Sequence, residues 1–504
     1  MNKKEITEIK ENLIQSTDIF NLLANLYFIC ATEFTTIYNL IQNEDDYKER
    51  FGKYFHNFKH EMLDISLDFF DSNLLSMKHL LRKMNVSNAE DFLISLWAFL
   101  RAIDLIASDE ANYLKTFKTI RCRTSNYFGS KEFILLFKPK NLIFDTIKSK
   151  IPEGKIKIGF NIGQRIEDHL QKLIIYEENL SRKIEIQTID PLVNELLLEQ
   201  GENLAFAVAP ISYDFNYAFK PFNSSQGVPY VFDEIRNWEK IARLIDSVLK
   251  KCILEDIHIV VFPELSIDEK LRAYVSNWLK NNNKGKKIIM VVAGSYHVLK
   301  ENQKDKYENS SIVYRFDGKK LWEQKKMNQF QMDENDLKKF KSSSEKGFKE
   351  LRRLIKKSSS KSWEKIDISN KLIIYDSSIG RMAVTICLDY FVKEKEKLLI
   401  EPHVNLIFVP SMSRSLRRMN ISNLDYGTFG LGSIFCANSC WVISGGEKNN
   451  FRSKNASYIY IPKREGLIRS DCQGKCDCQN CNFTFFRITQ VFENNLQRGN
   501  FMIP

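Results

Sequence analysis

No run within the 504 residues is both long and apolar enough to cross a bilayer. The nearest, Ile19 to Ile41, is interrupted by Asn21, Asn25, Glu33 and Asn39, so it reads as a core helix. A secretory leader pattern is missing too: Met1-Asn2-Lys3-Lys4-Glu5 leads into a helix of mixed charge. There is no G-x-S-x-G nucleophile elbow, no P-loop and no G-x-G-x-x-G fingerprint, which sets aside serine hydrolases of that type, P-loop nucleotide enzymes and dinucleotide binders. Disulfide chemistry is not expected either. The ten cysteines are mostly scattered singly, which suits a reducing cytoplasm.

What is present begins with size. A chain this long exceeds one typical domain, so two or three are expected. Hydrophobic content of 43% and charged content of 27% suit a soluble globular protein without a membrane partner. Residues 1 to about 130 read as helical. Met62, Leu63, Ile65, Leu67, Phe69 and Phe70 begin an apolar-faced segment, continued by Leu74, Leu75, Met77 and Leu80. A new helix is expected from Ser87, with Glu90 completing a capping box. Short apolar runs follow at Phe133 to Phe137 and Leu142 to Phe144. Polar stretches around Gly154 and Gly163 then lead to a helical connector ending near Gln200. His56 and His60 stand four apart but lack a third ligand, so they read as an ordinary pair. Residues 1–200 are therefore expected to form a mainly α-helical domain plus connector.

From residue 201 the pattern changes to apolar strands alternating with helices, an α/β arrangement. Ile235, Trp238, Ile241, Ala242, Leu244, Ile245, Val248 and Leu249 form one helical face. The strand-like Ile257-His258-Ile259-Val260-Val261-Phe262 ends in Pro263-Glu264-Leu265. Leu321-Trp322-Glu323-Gln324-Lys325-Lys326 delivers a lysine after a short apolar stretch. Met382 to Ile386, entered through Ile379-Gly380-Arg381, delivers Cys387. Alone, Cys387 reads as a small core hydrophobe, Pro263-Glu264 as a turn, and either Lys325 or Lys326 as the useful ammonium. Together, a carboxylate, an ammonium and a thiol at strand ends are the parts of a base-activated nucleophile. A free thiol titrates near ~8.5, so a neighbouring base or cation is needed to favour thiolate.

These segments resemble the nitrilase, or carbon–nitrogen hydrolase, superfamily. The likeness runs through Val260 to Leu265, Asn309-Ser310-Ser311-Ile312, Asp317-Gly318-Lys319, Gly380 to Phe391 and Val404 to Ser411, over roughly 202–500. It implies an αββα sandwich, commonly assembled into homo-oligomers, and a Glu264–Lys326–Cys387 triad. It also implies that the Leu388 N–H helps Lys326 hold an oxyanion, and that a second glutamate, for which Glu364 is the candidate, supports the triad. Lys326 is preferred because it aligns with the family's lysine. Gln324-Lys325 departs from the usual aromatic-Arg pair, and Asp389-Tyr390-Phe391-Val392-Lys393 lacks the usual Arg and Phe-Pro-Glu. Pocket shape and substrate contacts therefore do not transfer. The implied activity is hydrolysis of a non-peptide C–N bond of a small molecule, an amide first and a nitrile or carbamoyl compound next, with no catalytic cofactor. A non-catalytic or signalling protein that keeps the fold, such as a regulated effector in a stress or antiphage response, is the competing class.

Two features lie outside that pattern. The net charge of +11 is concentrated between Lys319 and Lys365, where basic residues exceed acidic ones by about eight. An insert at about 333–362 carries most of it, with Phe348, Leu351, Leu354 and Ile355 on one helical face. It reads as a solvated helix with a Ser/Lys tail, or else as a lid or patch for an anionic substrate or nucleic acid. No nucleic-acid module accompanies it. The second is Cys472, Cys476, Cys478 and Cys481, a C-x3-C-x-C-x2-C cluster that predicts structural zinc. Flanking strand-like segments at Ser457–Ile461 and Phe483–Ile488 suggest that it clips a hairpin tip.

Overall fold

The structure, a computed structural model, describes residues 2–43, 45–63, 74–84, 88–106, 120–137, 170, 173–177, 182–209, 211, 217–222, 224, 227–300, 303, 305–332, 349, 352–356, 362–392, 398–400, 402, 404, 406–412, 432–437, 455–460, 468–471, 483–487 and 500–501. Its contacts divide the chain into two units. One comprises Met1–Pro139, Lys157–Lys183 and Glu401–His403, the other Lys140–Ile156, Ile184–Ile400 and Val404–Pro504.

The first unit begins with helices α1 (Lys3–Ile14), α2 (Ile19–Thr32), α3 (Phe34–Asn43), α4 (Asp45–Leu63), α5 (Leu74–Lys83) and α6 (Ala89–Ile106). An antiparallel sheet of β1 (Ile120–Arg123), β2 (Glu132–Phe137) and β3 (Leu173–Glu177) follows. Asn2 and Glu5 close a capping box on α1, and the Asp18 carboxylate accepts the Asn21 N–H on α2. The cap of α6 falls one residue later than the sequence suggests. Asn88 accepts the Asp91 N–H at 2.8 Å, and Ser87 lies outside the described residues. The asparagines that make α2 too polar for a membrane have partners here: Asn21 accepts the Arg123 N–H and Asn25 the Ser125 N–H. Phe58 meets Phe99, and Phe34 meets Trp97, edge to face at 5.1 and 5.7 Å. Among the described residues no helix is long and apolar enough to cross a membrane, and no three-ligand metal cluster exists; His56 and His60 are exposed. Leu142 to Phe144, Gly154 and Gly163 lie outside the described residues.

The first described elements of the second unit are β4 (Ile184–Thr188) and α7 (Pro191–Gln200), so residues 184–200, expected with the N-terminal domain and its connector, group with this unit. Pro191 occupies the first helical turn, and Asp190 caps it by accepting the Leu192 and Val193 N–H groups. Next come β5 (Ala205–Val208), β6 (Tyr217–Pro221), β7 (Val228–Ile235), α8 (Trp238–Leu254), β8 (Ile259–Val261) and α9 (Glu269–Asn282). Then follow β9 (Met290–Val292), β10 (Tyr296–Leu299), β11 (Tyr307–Arg315), β12 (Lys320–Lys325), β13 (Gln331–Met332) and β14 (Ser362–Glu364). The remainder is β15 (Leu372–Ser377), β16 (Gly380–Val384), β17 (Leu406–Ser411), β18 (Gly432–Ala437), β19 (Asn455–Tyr460), β20 (Ile468–Asp471), β21 (Phe483–Arg487) and β22 (Asn500–Phe501).

These strands form three sheets: β10-β11-β9-β8-β5-β21-β22 with β12 also on β11; β20-β19-β18-β17-β16-β15-β4; and β13-β14-β7-β6. Period-2 alternation distributes the two large sheets into layers. Phe206, Val208, Ile259, Val261, Met290 and Val292 face Met382, Val384 and Phe408 in the core between them. The alternate residues Ala205, Ala207, Val260, Val291 and Ala293 pack against α8 and α9. On α8 the buried residues are Ile241, Ala242, Ile245, Val248, Leu249 and Cys252; Ile235 belongs instead to β7. The outer face of the second sheet is sealed as well, since Ile374, Ala383, Ile407 and Val409 are fully buried. The unit is thus a layered α/β sandwich with two sheets at its centre.

The basic insert is closed at its base by the antiparallel pairing of β13 with β14. Within it, residues 352–356 are helical, with Ile355 buried in the core that α8 and α9 share. Phe348 and Leu351 lie outside the described residues. One expectation fails. The segments flanking the cysteine cluster do not form a hairpin together, because β19 pairs with β18 and β20 whereas β21 pairs antiparallel with β5 of the other large sheet. Apolar alternation reveals a strand but not its partner.

Candidate active site

Glu264 lies just beyond β8, where the parallel strands β5, β8 and β9 end side by side, and it makes a single parallel bridge to Ser295. The approach is close. At Gly294 (φ +56°) a Cβ would press into the Pro263 carbonyl oxygen and come within 2.8 Å of the Ser266 Oγ. Lys326 follows β12, which the Phe316-Asp317-Gly318-Lys319 turn folds back on β11. Glu364 ends β14 in the four-stranded sheet. Cys387 follows β16 of the seven-stranded sheet, at the head of a short 3-10 turn spanning Cys387–Tyr390. Its φ of +48° puts an L-residue in the left-handed region. Three sheets thus contribute to one cluster.

At its centre the Lys326 Nζ donates to Glu264 Oε1 at 2.8 Å and to both Glu364 oxygens at 3.0 and 2.8 Å. All three side chains are buried, at 1–2% exposure. Glu364 also accepts the Phe330 N–H at 2.9 Å and lies 3.0 Å from His297 Nε2. Because His297 Nδ1 accepts the Phe232 N–H at 2.9 Å, the proton of this ring sits on Nε2 and is donated to Glu364. The other Glu264 oxygen accepts the Met412 N–H at 3.1 Å, and the neighbouring Ser411 hydroxyl donates to Cys387 Sγ at 3.3 Å. The end of β17 therefore touches both Cys387 and Glu264.

The electrostatics follow from burial and pairing. Burial alone would lower Lys326, but the charges of Glu264 and Glu364 hold its ammonium well above the ordinary range. Burial would raise Glu364, and Lys326 with His297 holds it down at about 2. Burial, and then the charge of Glu264, pushes the Cys387 thiol up. The Lys326 ammonium, paired with two carboxylates, acts on the thiol in the opposite direction and by less.

The remaining candidates are placed as follows. Lys325 points away and pairs with Glu308 at 2.7 Å, half-exposed, so the ammonium in the cluster is that of Lys326. The Leu388 N–H, next after the thiol, makes no hydrogen bond among the described residues. Cys387 is the only partly exposed member of the four described free cysteines; Cys30, Cys122 and Cys252 are buried. Cys472, Cys476, Cys478 and Cys481 lie outside the described residues.

Sequence reading missed Asp389. Its carboxylate accepts the Met327 N–H at 2.9 Å and an Asn328 Nδ2–H at 2.7 Å, tying the turn at Cys387 to the loop after Lys326. Burial pushes it up to about 7. The available signal was a carboxylate wedged between Leu388 and Tyr390, since a buried carboxylate must find donors. Tyr230, also missed, is buried near the same charges, and burial followed by Glu364 pushes its phenol well up. His297, at the start of β10, was missed as well; its partner is Glu364.

No family model matches the chain, and no curated protein does. Among solved structures it is similar to glutamine-dependent NAD+ synthetase from Acinetobacter baumannii at 13% identity and a TM-score of 0.36, covering 56% of this chain. That match spans 45% of the synthetase's length. It is also similar to Saccharomyces cerevisiae Nit3, a member of branch 10 of the nitrilase superfamily, at 16% identity and a TM-score of 0.35, covering 58% of this chain and 94% of that one. A carbon–nitrogen hydrolase from Helicobacter pylori matches at 16% identity and a TM-score of 0.32, covering 52% and 89%.

Proposed function

We propose that this chain hydrolyses a non-peptide carbon–nitrogen bond, an amide foremost, through Cys387 with Glu264 as base and Lys326 as electrostatic partner. The observation that supports this reading is the buried Glu264–Lys326–Glu364 cluster with a partly exposed thiol beside it. Glu264 takes the Sγ proton as sulfur attacks the carbonyl carbon. The new oxyanion is met by the Lys326 Nζ and the Leu388 N–H. Once protonated, Glu264 grips Lys326 less strongly, which frees an ammonium N–H for the oxyanion. Negative charge moves from carboxylate to substrate oxygen while the total is unchanged. Collapse breaks the C–N bond, and the leaving amine takes the proton from Glu264. A thioester remains. Water then gives a proton to Glu264 and attacks the thioester, and that proton returns to sulfur as the acid departs.

The test is ammonia release from a panel of primary amides, nitriles, glutamine and carbamoyl compounds, with intact-mass detection of an acyl adduct. At least one amide is expected to turn over, Cys387→Ala to abolish the adduct, and Glu264→Gln to slow turnover by about 10²–10⁴-fold. No release and no adduct across the panel would leave a non-catalytic binding protein as the better reading.

A further inference from the structure

The hydrogen bonds around Cys387 fix the charge of the cluster. Both Glu264 oxygens are acceptors, from Lys326 and from the Met412 N–H. Both Glu364 oxygens are acceptors as well, from Lys326, His297 and the Phe330 N–H. Each group is therefore a carboxylate. His297, with Nδ1 accepting and Nε2 donating, is the neutral ring. Against two carboxylates stands one ammonium, and all three are at most 2% exposed, where solvent screens little. Asp389 adds a third acidic group two residues beyond the nucleophile. Among the described residues the ion pairs of this cluster are those of Lys326 with Glu264 and Glu364, and no second cation joins it.

We propose that the described groups around Cys387 give it net negative surroundings, which select acyl groups that are uncharged next to the reacting carbonyl and reject those with an adjacent carboxylate. This deepens the hydrolase reading and rests on it. Among the described side chains of the basic insert, Arg352, Arg353 and Lys356 are not part of the Glu264–Lys326–Glu364 cluster, and Ile355 between them anchors the helix in the core.

Two alkylating reagents of nearly equal size test it on the full chain. Iodoacetamide is neutral and iodoacetate is an anion, and the adduct on Cys387 is counted by peptide mass spectrometry. The iodoacetamide-to-iodoacetate rate ratio at Cys387 is expected to exceed that of a free small thiol, measured in parallel, by at least tenfold. Glu364→Gln, which removes one charge, should bring the ratio towards the free-thiol value; Glu364→Asp, which keeps it, should not. A wild-type ratio equal to that of the free thiol would overturn the charge proposal and leave the hydrolase reading standing. Labelling of Cys387 by neither reagent ahead of Cys30, Cys122 and Cys252 would overturn both. Should either variant fail to fold by circular dichroism, the wild-type ratio alone still decides.

Discussion

Cys387 is held at φ +48° between a buried strand and a 3-10 turn, a conformation that costs an L-residue on the order of 1–2 kcal/mol. The strain turns the chain sharply, so that the sulfur leaves the sheet and meets the Ser411 hydroxyl. Asp389 stabilises the same turn from its other side by accepting from Met327 and Asn328. Its titration gives a pH signature. In the unfolded chain an aspartate loses its proton near ~3.9, whereas burial holds Asp389 at about 7. Between those values the folded state binds the extra proton, so the stability contribution is fully present at low pH and is lost as pH rises through about 7. Urea midpoints measured from pH 5 to 8 should therefore fall with pH more steeply for wild type than for Asp389→Asn. Parallel curves would refute the assignment.

At the scale of elements, the site depends on how closely β9 approaches the Pro263–Glu264 turn. Gly294 permits this because it has no side chain and tolerates φ +56°. Gly294→Ala forces the two strand ends apart and strains the backbone. It should cost about 2–3 kcal/mol in denaturant unfolding and slow Cys387 alkylation as Glu264 moves. A variant with wild-type stability and labelling would show that the approach is dispensable. The insert works on the same level. Its base strand β14 carries Glu364, and β14 pairs parallel with β7, so the insert is built into the sheet that supplies the second carboxylate.

For the whole molecule, the four-cysteine spacing between β20 and β21 makes a prediction of its own. Purified protein should carry about one zinc per chain, and Cys472→Ser should release it without changing the labelling of Cys387, as a closed structural site requires. Absence of metal, with four titratable thiols, would refute it. The sequence by itself determined where the chemical groups sit along the chain. Glu264, Lys326 and Cys387 each follow an apolar run whose period reports a strand, and a strand's end is where a side chain can leave the sheet. It also determined α8 through periodicity, and a helix ending at Gln200. Only the tertiary structure decided which ends meet. Three sheets converge to put Glu364, His297, Asp389 and the Ser411–Met412 backbone around one thiol, and those pairings join residues distant along the chain that no local period encodes. The upward push on the thiol was decided there too, because it comes first from burial and then from the Glu264 charge.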